Sequence, residues 1–573
     1  MYKFLTQKFN LYLILIILLG IFLTSFNLGS VPNGFHWDES ANGYSAYSIL
    51  KSGKDEWGIN WPLFIKSFGD YKSAFLSYAI IPFFIIGGVN ETMARLPSVI
   101  LAIIGVLGLI KFIQPKADKL SLVTGLILVT NPWFLHYSRI AFEPMPSLGL
   151  MLMGLWFWTV KNKKLNILGA ILLLMSMYVY HSARLFVPVL IFIYQIIFYK
   201  KEFWKQILKQ KTPWMILVIG SILILYNAIF SFGGERAKTV FFWNSTEITS
   251  ATEEGIYRNR ILNYPFVRIF NNKGWYVINQ LGKKYTSHFS PEYLLPSNNQ
   301  TAAFSFSIHG NFYLFLVPFL IIGIFSTKNR NNMYWFFISW LLISPIPSTL
   351  TSGDTNPNRS LIMIPALCFF AAKGIIDSIS WIKIKTKSYT FTLFYKIGII
   401  LILGLNFGLY FHDWLIYFPE MSEPYWHGFY KEASTEIWNN RHNYDKIYFT
   451  NTDTQPYIFF SWYNQIDPSL VQFQANNRDE KTLEGIKQLD NVYFWAVKNN
   501  TAPCYLIEKN VLVVASSNDV DAIPIEQFKP DRIYTHHNRF HPEKIALRAW
   551  ESKNISLEKK TVLLELCKKA KLN

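Results

Sequence analysis

A chain of 573 residues with 51% apolar and 17% aromatic content is too long for one soluble domain and too apolar for an ordinary one. A formal charge of +18 would point to nucleic acid in a soluble protein. Here most of the lysines fall in short connections between apolar runs, a topology signal that excludes a nucleic-acid partner and leaves the lipid bilayer as the main one.

A membrane-spanning helix needs about 20 apolar residues, fewer if its ends snorkel. On that basis we expect about eleven transmembrane helices, over 11–28, 96–113, 120–135, 145–160, 165–180, 185–199, 214–230, 312–325, 335–346, 361–376 and 393–410. Lys3 and Lys8, then Lys111, Lys116 and Lys119, then Lys161, Lys163 and Lys164, then the lysines from Lys200 to Lys211, then Lys328 and Arg330, and finally Lys383, Lys385 and Lys387 occupy alternate connections. The positive-inside rule puts that side in the cytoplasm, so the N-terminus is expected inside, the C-terminal part outside, and the protein multi-pass in the plasma membrane. The run 74–89 would break this alternation if it crossed. It reads instead as an external juxtamembrane helix interrupted by Pro82.

From His412 onward the apolar runs shorten. Strands are expected at 447–450, 457–462, 492–497 and 511–515, and helices at 430–441 and 543–550. The expected fold is therefore an α-helical polytopic protein: a membrane domain over 1–411 with external loops 31–95 and 231–311, and a small extracytoplasmic α/β domain over 412–573. Cys504 and Cys567 could pair if that domain is exported, but spacing leaves this open.

The expected outer connections collect the polar residues. The stretch Phe35-His36-Trp37-Asp38-Glu39-Ser40 comes first, with Tyr44, Asp70, Lys72 and Arg95 in the same loop. Acidic residues this close to a span belong at an interface or in a polar cavity. His136, Tyr137, Arg139 and Glu143 follow, then Tyr180, His181 and Arg184. Arg236, Lys284, Tyr285, His288 and Glu292 lie in the long loop, and Asp354, Asn356, Asn358 and Arg359 lie before the last spans. Carboxylates and cations at one membrane face suit sugar transfer from a lipid phosphate. A carboxylate takes the acceptor proton and Lys or Arg holds the departing phosphate.

The bland readings are that Asp38 caps a helix, that Glu143 and Arg139 form a surface ion pair, and that Lys72 and Arg184 snorkel. Arg95 reads as structural. Asp519 with Asp521, and His536, His537 and His541, read as solvated turns rather than metal sites.

Trp37-Asp38-Glu39 after the first span, Tyr44, Gly53 with Trp57-Gly58 and Pro62, Lys72 and Ala94-Arg95-Leu96-Pro97-Ser98 resemble the first external loop of the GT-C glycosyltransferases. The likeness is to the branch holding the protein O-mannosyltransferases and the lipid A aminoarabinose transferase. Arg139 with Glu143, Tyr180 to Arg184, Ser287 to Leu294 and Asn358 to Pro365 are similar to later motifs of that branch. The resemblance implies an inverting transfer from a polyprenyl-phosphate-linked sugar to a hydroxyl acceptor on a protein or glycolipid. In it Asp38, Glu39 and Glu143 would be catalytic, and Lys72, Arg184 and Arg359 would grip the donor phosphate. Tyr44, Arg139, Tyr180, His181 and His288 would contact substrate. A divalent metal on His288 and Asp70 is left open, because the carboxylate expected to partner the histidine is Tyr71 here. A flippase for lipid-linked saccharides and a non-catalytic scaffold are the rival readings.

Overall fold

The computed structural model describes residues 2–68, 70–115, 117–230, 246–262, 269, 271–297, 303–328, 330–351, 355–451, 454–476, 485–495, 502–516, 529–536, 538–542 and 544–570. Lys116, Arg236, Asp354, Asp519, Asp521 and His537, all named above, lie outside that set, as do residue 543 of the last expected helix and the side chain of Asp70.

The chain divides into two compact units: residues 1–26 with 98–412, and residues 27–97 with 413–573. In the first unit every expected apolar run is helical. Five helices in the described chain are long and apolar enough to cross a membrane: Lys8–Ser25, Glu91–Ile113, His181–Lys209, Pro357–Thr386 and Tyr389–Ile416. A sixth is reached if Asp118–Thr130 and Pro132–Ser138, which meet at a 63° bend, form one broken span. Pro132 explains the break. It cannot donate to the preceding turn, and the Asn131 side chain restarts the helix by accepting from Phe134 N at 3.0 Å. Pro144–Thr159 and Lys163–Val179 are shorter and pack on each other. The chain is thus a multi-pass membrane protein.

Val317–Phe325 and Ile364–Thr386 pack backbone to backbone. Gly323 abuts the Phe370 carbonyl and Gly374 the Phe319 carbonyl, an approach that only residues without a Cβ allow. The 74–89 run forms a 13-residue helix, Phe75–Gly87, about 20 Å long at 1.5 Å per residue and so short of a bilayer core.

The second unit holds the helix Trp37–Ser52, a hairpin of β1 (Phe64–Ser67) and β2 (Asp70–Ser73), and a six-stranded sheet. The sheet strands are β3 (Lys446–Thr450), β4 (Gln488–Leu489), β5 (Val492–Trp495), β6 (Val511–Ser516), β7 (Arg532–Thr535) and β8 (Ile545–Glu551). They lie in the order β4-β5-β3-β6-β8-β7, with β3 parallel to β5 and β6 and the other pairs antiparallel. Cys504 and Cys567 are joined in a disulfide.

Two expected elements change type. Residues 457–462 are helical, within Pro456–Tyr463, and every residue from Pro456 to Trp462 is buried. An apolar run buried all round carries no period that separates helix from strand, and Pro456 at the first helical position suits a helix start. The expected helix at 543–550 is instead β8, paired on both edges, whose ladder overrides the helix preference of its Ala, Leu and Glu residues.

Candidate active site

The second unit carries the Asp-Glu pair on the first turn of Trp37–Ser52. His36 caps this helix: its Nδ1 accepts from Asp38 N at 3.1 Å, while the His36 amide donates to Glu39 Oε2 at 3.2 Å. The cap is thus a histidine and not Asp38, and the Asp38 carboxylate is left available for another role. The helix N-terminus also favours negative charge there.

The Asp38 side chain is 29% exposed and forms an ion pair with Lys72 of β2, which is 16% exposed. Hairpin register fixes the lysine, with Lys72 opposite Ile65. Burial works against ionisation of Asp38, but the Lys72 charge, the nearby His36 ring and the Trp37 side-chain hydrogen bond outweigh it and hold the carboxyl below its ordinary value. Asp38 is therefore ionised at neutral pH. Aromatic rings collar the pair: Trp37 stacks on His427 at 5.4 Å, and the His36 ring lies 4.6 Å from Trp37 and 5.8 Å from Trp426. Burial, with the neighbouring His36 and His536, pushes His427 down to about 3, so this ring is neutral across the working range.

Glu39 is placed differently. Glu39 and Arg95 are both fully buried. Arg95 clamps the carboxylate through Nε to Oε1 and Nη2 to Oε2, each at 2.9 Å. Trp426 Nε1 donates to Oε2 at 3.0 Å. The remaining guanidinium protons reach the Leu28 carbonyl at 2.9 Å, the Pro32 carbonyl at 3.3 Å and the Gly34 carbonyl at 2.8 Å. Glu39 thus anchors the turn that presents Asp38. Arg95 is structural, as expected. Tyr44 is also fully buried and donates to the Ile466 carbonyl at 2.9 Å, which holds the helix in place. Trp426 and His427 were missed in the sequence. A Trp-His pair in the tail carries no local signal of belonging beside residue 38.

The other candidates lie in the first unit. Arg139 is 1% exposed and donates from Nη1 to the Leu23 carbonyl at 2.9 Å and from Nη2 to the Phe26 carbonyl at 2.6 Å, tying down the end of the first helix. Glu143 is half-buried at the start of Pro144–Thr159. Tyr180 and His181 are half-buried at the start of His181–Tyr199, their rings 4.2 Å apart. Arg184 Nε donates to the Met177 carbonyl at 3.1 Å.

Arg359 Nη1 donates to the Thr351 hydroxyl at 2.5 Å and Lys284 Nζ to the Thr351 carbonyl at 2.9 Å, so two cations meet at one residue. His288 is fully buried, with Nδ1 donating to the Lys284 carbonyl at 2.7 Å, and burial lowers it to about 4. Its Nε2 therefore carries the lone pair. Among the described residues no group of three His, Cys, Asp or Glu side chains converges to hold a metal ion. The described side chains do not make a ligand set, and the Asp70 side chain expected beside His288 lies outside them.

No protein-family model matches the sequence, and no curated protein matches it. Among solved structures, the chain is similar to ArnT from Cupriavidus metallidurans bound to undecaprenyl phosphate, with 11% identity, 95% of this chain and 98% of that chain covered, and a TM-score of 0.48. The archaeal oligosaccharyltransferase AglB from Archaeoglobus fulgidus, in complex with an inhibitory peptide and a dolichol-phosphate, aligns at 11% identity over 80% of this chain and 64% of that one, with a TM-score of 0.46. The arabinofuranosyltransferase AftD from Mycobacteria aligns at 11% identity over 78% of this chain and 29% of that one, with a TM-score of 0.39. At these identities and TM-scores, neither family nor activity is assigned from them.

Proposed function

We propose that the protein is a membrane glycosyltransferase that moves one sugar, with inversion, from a polyprenyl-phosphate donor to an acceptor hydroxyl on the extracytoplasmic face. The carrying observation is the Asp38 carboxylate: ionised, 29% exposed, set on a helix N-terminus and paired with a partly exposed lysine in a multi-pass membrane protein. The ordered motifs of the sequence support the same reading, and the Cys504–Cys567 disulfide supports an exported second unit.

In this reading Asp38 orients the acceptor hydroxyl. As the acceptor oxygen bonds to the anomeric carbon, the bond from that carbon to the phosphate oxygen breaks and the polyprenyl phosphate leaves with the electron pair. The hydroxyl proton passes to Asp38 and then to water. Lys72 stabilises the charge growing on the phosphate. Arg184 and Arg359 keep the proposed phosphate role, joined by Lys284 through its shared bond to Thr351, and Glu143 keeps the acceptor role. Tyr180, His181 and His288 stay as proposed substrate contacts.

The test uses full-length protein in liposomes with a synthetic polyprenyl-phosphate sugar. Asp38→Asn is expected to lower transfer by about 10²–10⁴-fold, the range for losing a positioned base. Unchanged transfer would reject the role of Asp38. A parent protein that moves lipid-linked saccharide between leaflets without transferring sugar would favour the flippase.

A further inference from the structure

The first unit contains a groove of about 590 Å³ along one side of its helix bundle. Its walls come from the first helix, with Tyr12 and Ile16, from Asp118–Thr130, with Val123, and from Ile364–Thr386, with Ile376. Two lysines, Lys119 and Lys396, line it as well. Lys119 sits at the start of its helix, and Lys396 lies two turns into Tyr389–Ile416, just after Lys383, Lys385 and Lys387. Both are exposed, and neither has a hydrogen-bond or ion-pair partner among the described residues. The groove is thus apolar along its length and cationic at the lysine-rich ends of the spans.

Neighbouring acids do not cancel that charge. Asp377, in the adjacent cavity, is held by Lys373 at 2.5 Å, and both are nearly buried. Asp118 shares that adjacent cavity with Lys119 but forms no ion pair with either groove lysine among the described residues. Tyr389–Ile416 is only 11% buried over its apolar window, so this side of the bundle faces lipid. From Tyr12 to Leu19 the wall runs seven residues, about 10 Å of helix, enough for the upper half of an acyl chain.

We propose that this groove binds one anionic glycerophospholipid from the leaflet at the lysine-rich span ends. The acyl chain lies against Ile16, Val123 and Ile376, and Lys119 and Lys396 close on the phosphate with their flexible stems. A basic pocket between membrane helices recognises a phosphate headgroup in this way, and the apolar wall distinguishes a lipid from a free anion.

The full chain, purified and placed in nanodiscs made from equal amounts of phosphatidylglycerol and phosphatidylcholine, is re-extracted, and its retained lipid is quantified by mass spectrometry. Two lysine contacts are expected to enrich phosphatidylglycerol on the order of tenfold over phosphatidylcholine. Lys119→Gln with Lys396→Gln is expected to bring the ratio back near one. Equal retention of both lipids by the parent, or undiminished enrichment in the double variant, overturns the site. Ile379 also lines the groove, so Ile379→Trp fills it while sparing both lysines and serves if the double variant fails to fold. It should expel the lipid, and retention by a well-folded Ile379→Trp protein overturns the proposal. Displacement of phosphatidylglycerol by an equal amount of polyprenyl phosphate would overturn the choice of a glycerophospholipid.

Discussion

Side chains of adjacent helical residues diverge by about 100°, so the two carboxylates on the turn after His36 can have different surroundings. Glu39 turns inward to Arg95 and Trp426, while Asp38 stays partly open beside Lys72. Removing one partner of a buried pair leaves the other charge uncompensated, at a cost of about 3–5 kcal/mol. Glu39→Gln should therefore lower thermal stability sharply. Joint replacement of Glu39 and Arg95 by apolar residues should cost less than the sum of the single changes in a double-mutant cycle.

Asp38 lends itself to a test by titration. Its folded value is depressed, so the ionised form persists as pH falls through the ordinary carboxylate range. Sugar transfer, if Asp38 drives it, should stay flat down to that range and be lost only below it in a pH–rate profile.

His427 provides a stability test. With a folded value near 3 and an ordinary value of 6.5, the unfolded chain takes up the proton first. Its stabilising contribution is therefore complete above pH 6.5 and declines as pH falls from there toward 3. His427 has a positive φ of 53°, which asparagine tolerates. His427→Asn should thus flatten the dependence of Tm on pH in that window without straining the backbone.

At the scale of elements, close approach is controlled by what a residue lacks. Gly34 has φ 98°, and a Cβ there would stand 2.5 Å from the Trp426 carbonyl oxygen and 2.7 Å from the Gly428 nitrogen. In the first unit Gly374 and Gly323 play the corresponding part between two helices. Gly374→Val should force Val317–Phe325 away from Ile364–Thr386 and cost about 1–3 kcal/mol or more, read as a lower melting temperature in detergent. The same scale explains where element type was not legible. Residues 457–462 and 545–551 owe their conformations to burial and strand partners, which no window of sequence contains. The eleven apolar runs were legible because length and hydropathy are local properties. Their actual lengths, with five helices passing as full spans among the described residues, depend on where each helix bends or ends.

For the whole molecule, the Cys504–Cys567 link closes a segment with a sequence separation of 63. The chain-entropy relation puts a loop of that size at about 4 kcal/mol, with a usual range of about 2–5. Reduction with a thiol should therefore destabilise the second unit, seen as an earlier unfolding step in calorimetry, and Cys504→Ser should reproduce it. Cys368, buried in the membrane unit, should not change this result.

The sequence alone determined the membrane class, the apolar runs that became helices, and the acidic turn around Asp38 with Lys72 as a candidate cation. Those features rest on hydropathy, charge and short spacings, which neighbours in the chain can express. Tertiary structure alone decided that His36 and not Asp38 is the cap, that Glu39 and Tyr44 face inward, and that Trp426 and His427 join residue 38 across almost 400 positions. Burial and partnership are set by distant segments, and their energies exceed the local preferences that a linear reading can weigh.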